Sequence, residues 1–289
     1  MQKIKNKKKP DGFKVIKIIM SVIFGIYAAT LVFPIVWGII VSVTSKNFFL
    51  VNGFMKFPTS LDFSNYAKAF SSLEVDGNSF GSMLFNSIWF AIGGSVITVF
   101  ASCITAYACA RYDFMGGKVL YWVAIVSMMI PITNNLPSVF KFVGKTGLYG
   151  TPFVIITQLS AMGFNFLVMY SFFKNISAEY GEAAYIDGAG HWYVFSKVYL
   201  PMAISSMIAL WLTMFIGFWS DAMYPLMFMP DFPTLASGLH SYQLTISRVP
   251  GSTPILYAGL FISAVPILVL FLIFRDKFMD LQISGGIKG

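Results

Sequence analysis

Long apolar runs separated by short polar stretches make up this chain. Six runs contain no Asp, Glu, Lys, Arg or His: Ile18–Val43, Met83–Ala110, Val119–Phe140, Thr151–Phe173, Val198–Ser220 and Val249–Phe274. About 20 apolar residues suffice for an α-helix to cross the hydrocarbon core of a bilayer. Each run therefore predicts one spanning helix, the longer ones tilted. Pro34 lies inside the first run and predicts a kink there, because proline removes a backbone hydrogen bond. The third run ends in Ile130-Pro131-Ile132-Thr133-Asn134-Asn135-Leu136-Pro137, which reads as a broken helix end or a polar patch. The fold class expected is an all-α integral membrane protein with six transmembrane helices.

One polar interruption stands out from the rest. Asn175–Asp187 reads as a short helix with Ser177 as its N-cap and Glu179 and Glu182 in the first turns, where negative charge suits the helix dipole. Ala183 and Ala184 leave a flat surface beside Glu182. Gly188 and Gly190 predict the break, since glycine takes left-handed backbone angles at little cost. His191–Tyr199 then reads as a second short helix with Trp192, Phe195 and Tyr199 along one stripe, ending before Pro201. A small-residue face beside a glutamate suits docking of a partner with a basic group. A solvated loop with a helical turn would have the same composition.

Composition and charge bear on class and orientation. Hydrophobic residues make up 57% of the chain and charged residues 11%, against about 25% charged in a soluble domain. Met1–Pro10 is basic, but the apolar run after it is too long for a signal peptide and ends without a small-residue cleavage site, so it reads as a retained first span. With the N-terminus inside, 14 Lys and Arg fall on inner segments and 6 on outer ones. That bias places both termini in the cytoplasm. The net charge of +8 then reflects attraction to anionic inner-leaflet lipid. Basic residues scattered over membrane-flanking segments argue against nucleic acid as a partner. Cys103 and Cys109 both lie in the second run without metal-site spacing and read as buried small apolar residues. Gly144-Lys145-Thr146 has the end of a phosphate-binding loop, but Val139 stands where that motif needs its first glycine.

Glu182-Ala183-Ala184, three residues, Gly188, nine residues and Val198-Tyr199-Leu200-Pro201 resemble the EAA loop of binding-protein-dependent ABC importer permeases. Phe172-Phe173-Lys174-Asn175-Ile176, Trp219-Ser220-Asp221-Ala222, Tyr224-Pro225-Leu226 and the ending Gly286-Ile287-Lys288-Gly289 are similar to the carbohydrate-uptake branch, the smaller of the maltose-type permeases. The resemblance covers roughly Met83–Gly289. It implies a cytoplasmic helix-turn-helix coupling loop in which Glu182, Ala183, Ala184, Asp187 and Gly188 engage an ATPase. It also implies a second permease subunit, two ATPase subunits and an extracellular sugar-binding protein as partners, in a bacterial plasma membrane. ATP and magnesium would be bound by the ATPase, with no cofactor and no catalysis in this chain.

The organisation expected is a cytoplasmic basic arm at 1–17, a first transmembrane helix and extracellular loop at 18–82, the ABC transporter type-1 transmembrane domain at 83–276 and a cytoplasmic tail at 277–289. The outer loop Met229–Pro254 is the expected contact for the binding protein. Asn86, Asn134, Asn135, Gln158 and Asn165 sit in or at the ends of apolar runs and should face the bundle interior. They fit a sugar path, and they equally fit helix–helix hydrogen bonding. The rival function is a stand-alone secondary transporter or channel, which would favour ionisable residues inside spans and an internal repeat; neither is visible.

Overall fold

The computed structural model of the chain describes residues 11–130, 136–246 and 251–286. Residues 1–10 of the arm expected at 1–17, Asn134, Asn135, Arg248 and the last residues 287–289 lie outside the described residues, and residues 11–17 of that arm already belong to the first helix. Among the described residues, four helices are long and apolar enough to cross a membrane: Lys14–Ser42, Phe80–Arg111, His191–Ser220 and Thr253–Asp276. They correspond to the first, second, fifth and sixth apolar runs. The first belongs to α1 (Asp11–Ser42), which continues through Pro34.

The segment after α1, expected to lie outside, is not an open loop. It holds α2 (Lys46–Asn52), α3 (Ser64–Ser72) and a hairpin of β1 (Glu74–Val75) and β2 (Asn78–Ser79). Asn65 ties it down by donating to the carbonyls of Ser42 at 2.9 Å and Thr44 at 2.8 Å. The chain then enters α4 (Phe80–Arg111), the central helix of the bundle.

The third and fourth runs depart from the single helices expected of them. The third contains α5 (Met115–Met129) and the start of α6 (Leu136–Thr146). Lys145 and Thr146 close α6, so Gly144-Lys145-Thr146 is a helix end and not a loop between strand and helix. In the fourth run a 3-10 turn (Pro152–Gln158) precedes α7 (Phe164–Asn175). The backbone between them is irregular, with Gly163 at φ +106°. Irregular backbone at membrane depth is tolerated where protein satisfies it, and Ser102 Oγ of α4 donates to the Ser160 carbonyl at 3.2 Å.

After α7 comes α8 (Glu179–Ile186). Then α9 (His191–Tyr193), a π-helical stretch (Val194–Tyr199) and α10 (Leu200–Ser220) run on as one helix. The expected separate second short helix is therefore the start of the long apolar helix His191–Ser220. Proline at 201 cannot donate to the preceding turn. The wider π turn accommodates this, with the Leu200 amide bonding the Phe195 carbonyl five residues back. α11 (Met223–Phe228) and α12 (Leu235–Ile246) lie at the bundle end away from α8, and α13 (Thr253–Gly286) follows.

Helices α4, α7 and α10 form the bundle centre, with α13 against α10. Their core at the α8 end is aromatic and small together: Cys103, Ala106, Tyr107, Phe166, Phe173, Phe195, Tyr199 and Ala203 are all buried. A second core at the other end joins Leu73, Phe80, Met83, Trp219, Leu235 and Leu239. From Val15 to Val36 the large apolar side chains of α1 are exposed; the helix meets α13 only near its outer end, where Gly38 abuts Phe261 and Tyr257.

Candidate functional site

Helix α8 begins one turn later than the sequence suggests, because Asn175 still belongs to α7. The N-cap is Ala178, which has no side-chain cap, and not Ser177 as expected; Ser177 sits one residue earlier, where its Oγ accepts from the Glu179 amide at 3.3 Å. The other end closes with Gly188 at φ +81°. The Gly188 amide bonds the Tyr185 carbonyl and the Ala189 amide bonds the Ala184 carbonyl, both at 3.0 Å. These two bonds are the Schellman arrangement. Gly190 has an ordinary φ of −76°, so Gly188 alone makes the turn.

This geometry sorts the side chains of α8 onto two faces. Glu182, Ala183 and Asp187 are exposed, with Tyr180 at 55% and Ile186 at 85%. Gly181 is buried, and Ala184 is half-buried against the core. The Ala183-Ala184 pair is thus divided: Ala183 belongs to the free face and Ala184 to the seat.

The seat is a block of rings. Tyr107 lies with ring centroids 4.8 Å from Phe195, 5.3 Å from Tyr199 and 5.4 Å from Phe173, spacings at which aromatic pairs attract. Gly181 rests on Tyr199 so closely that a Cβ would lie 2.6 Å from the phenol oxygen. Arg111, the last residue of α4, has its guanidinium carbon 4.6 Å from the centre of the Tyr199 ring. It also donates through Nη2 to the Ile176 carbonyl at 2.7 Å, and its Nε is buried without a partner. One side chain thereby joins α4, the approach to α8 and the base of the fifth span. On the far side the Tyr112 and Tyr185 hydroxyls lie 3.1 Å and 3.0 Å from His191 Nδ1. Loss of water around the Tyr185 hydroxyl, together with its Tyr112 neighbour, pushes its pKa up to about 12, so it stays neutral. Gly181, Arg111 and the two tyrosines were not among the residues singled out from the sequence. Arg111 at the end of an apolar run was the one visible signal.

The polar residues inside the runs have diverse partners. Asn86 donates through Nδ2 to the Pro233 carbonyl at 3.0 Å and accepts at Oδ1 from Trp89 Nε1 at 3.2 Å. Beside it the Ser87 hydroxyl accepts from the Leu235 amide at 2.7 Å, so α4 clasps the start of α12. Replacing Asn86 with leucine should cost about 1–3 kcal/mol by leaving the Pro233 carbonyl unpaired. A fall in melting temperature of the detergent-solubilised chain, absent in a surface control such as Lys141→Gln, would record it.

Gln158 donates through Nε2 to Asp221 Oδ2 at 2.9 Å, and Asp221 Oδ1 accepts from the Tyr224 amide at 3.0 Å. The Gln158 Oε1 and Asn165 Oδ1 atoms are buried without partners among the described residues. Gln158, Asp221, Thr157, Ser160 and Tyr224 line a cavity of about 520 Å³. Asp221 is an addition to the sequence-derived set; its place just after the fifth apolar run could have marked it.

A helical membrane frame that seats one short helix on rings and leaves its other face open belongs to the class of transport permeases. Residues 98–281, more than half of the chain, match the family of binding-protein-dependent transport system inner membrane components, and the chain belongs to that family. It is similar to the diacetylchitobiose uptake system permease protein NgcG of Streptomyces coelicolor, with 28% identity over 257 residues, 87% of this chain and 82% of that one. It is also similar to the trehalose/maltose transport system permease protein MalG of Thermococcus litoralis, with 26% identity over 285 residues, 96% of this chain and 99% of that one. Among solved structures, a chain of a bacterial ABC transporter involved in import of the acidic polysaccharide alginate superposes with a TM-score of 0.77. The match covers 94% of this chain and 100% of that one at 21% identity, and it shows the common fold.

Proposed function

We propose that this chain is one of two permease subunits of an ATP-driven importer that carries a sugar or oligosaccharide by alternating access. In this reading six spans cross the plasma membrane, the divided third and fourth runs among them. Both termini and α8 face the cytoplasm. Helix α8 is the coupling helix: its open face, with Glu182, Ala183 and Asp187, docks on a partner ATPase that binds ATP and magnesium. Movement of the ATPase passes through the ring seat into α4 and the fifth span. The observation that carries the reading is the seat itself, which joins α8 to both spans through Tyr199 and Arg111. The sugars in the names of the relatives support the substrate class. The cavity at Gln158 and Asp221 is the stretch of path assigned to this subunit, with Asn165 and Asn86 nearer its supports. A sugar-binding protein delivers the cargo from outside, at the outer segments around α12.

The test is reconstitution of the chain with a second permease, an ATPase and a sugar-binding protein from the same organism. Expected is sugar uptake that requires all four and stops in the absence of ATP. Uptake by the chain alone, down an ion gradient, would sink the reading in favour of a secondary transporter. Orientation has its own test. In a Cys103- and Cys109-free background, single cysteines at Phe114 and Ala178 should resist an impermeant thiol reagent added outside intact cells; efficient labelling of either reverses the topology.

A further inference from the structure

We propose that the cavity at the turn between α4 and α5 binds a phosphate-bearing anion, with the headgroup of an inner-leaflet phospholipid as its source. The choice of leaflet rests on the orientation proposed above. The cavity is about 450 Å³ and is lined by Arg111, Lys118, Lys174, Tyr121, Trp122 and Tyr170, with Asp113 as its acidic residue. Three cations against one carboxylate leave it positive. Lys118 and Lys174 are exposed and form no ion pair among the described residues. Arg111 has its guanidinium committed to a carbonyl and a ring, neither of which cancels its charge. Helix α5 starts at the same place, with no acidic residue in its first turn and no side-chain cap, and its free amide ends add to the positive field. Phosphate is the anion such a set of donors suits.

The surroundings favour a lipid over a protein partner. Along α5 from Lys118, the apolar side chains of Val119, Trp122, Val123 and Val126 are 47–63% exposed. A tryptophan between a lysine and an apolar stripe is the pattern of a headgroup boundary. Basic pockets between transmembrane helices on the cytoplasmic side are suited to anionic headgroups.

The experiment places the full-length chain in nanodiscs of phosphatidylcholine with a trace of spin-labelled phosphatidylglycerol. Wild type is expected to enrich the anionic label at its boundary over a spin-labelled phosphatidylcholine. Without the two amines the cavity holds one cation against one carboxylate, so Lys118→Gln/Lys174→Gln should lower the enrichment to that of spin-labelled phosphatidylcholine. The charge-matched Lys141→Gln/Lys145→Gln on α6 should lower it none. Both lysines of the cavity are exposed, so the variant keeps its fold, and an unchanged melting temperature verifies this. If the label is not enriched but glycerol phosphate shields Lys118 and Lys174 from acetylation, the phosphate chemistry stands and its source is in solution. Wild-type enrichment in the double variant overturns the site, as does absence of both enrichment and shielding. Loss of the partner ATPase from the double variant with enrichment unchanged also overturns it, because the lysines would then serve a protein. The two leaflets of a nanodisc are alike, so failure here removes the site without touching the orientation, which the labelling of Phe114 and Ala178 tests.

Discussion

Gly188→Val should reduce sugar uptake and transport-stimulated ATP hydrolysis at least about tenfold while the chain still inserts and folds. Gly188 sits at φ +81°, where a non-glycine residue costs about 1–2 kcal/mol and a β-branched one more. If the chain instead avoids the left-handed angle, it gives up the two bonds that close α8, each with a net value of about 1 kcal/mol. Either route disfavours the seated position of α8 by about 2 kcal/mol or more, and about 1.4 kcal/mol is already tenfold in population. No spanning segment is touched, so subunit stoichiometry in the purified complex should hold. Gly188→Asn provides the graded control, because asparagine tolerates left-handed angles better than valine. Wild-type rates in Gly188→Val would mean that the turn has no part in coupling.

Gly181→Ala should be nearly as damaging, and Tyr199→Phe should partly repair it. A Cβ at residue 181 would lie 2.6 Å from the Tyr199 oxygen and 3.2–3.3 Å from its ring carbons. The phenol cannot swing away, because Tyr199 is 3% exposed and held by Tyr107 and Arg111. Helix α8 must therefore lift from its seat, although alanine is the better helix former by about 1 kcal/mol. Removing the oxygen eliminates the worst contact and leaves ones that need give by only a few tenths of an ångström. Uptake in the order wild type, double variant, Gly181→Ala is expected. Equal loss in the single and double variants would show that the contact with Tyr199 is not what seats α8.

The long runs were legible because apolar length is a property of sequence alone; α1, α4, the fifth span and α13 lie where the runs put them. The third and fourth runs were not, because charge-free sequence does not say where backbone polar groups find partners. The irregular stretch before α7 depends on Ser102, 58 residues from the carbonyl it satisfies. Pro201 was legible as a boundary but misplaced the helix end, since a π turn can absorb a missing amide. At α8, the turn at Gly188 and the open surface at Glu182 and Ala183 were legible from local spacing. The seat was not: Gly181, Arg111 and the pair His191 and Tyr199 come together from three helices, and only packing reveals that a glycine one residue before Glu182 is a contact point.

The exposure of α1 has a consequence for how the protein is made. Its principal helical partner is α13, the last helix of the chain. Roughly 200 residues are translated between the end of one and the start of the other, which at about 5–20 residues per second takes some 10–40 seconds. Through that interval α1 lacks its principal helical partner within the chain. Its uniformly apolar surface suits that wait. A chain stopped before α13 therefore keeps an inserted first helix that has nothing to close on, and membrane quality control would meet it as an orphan.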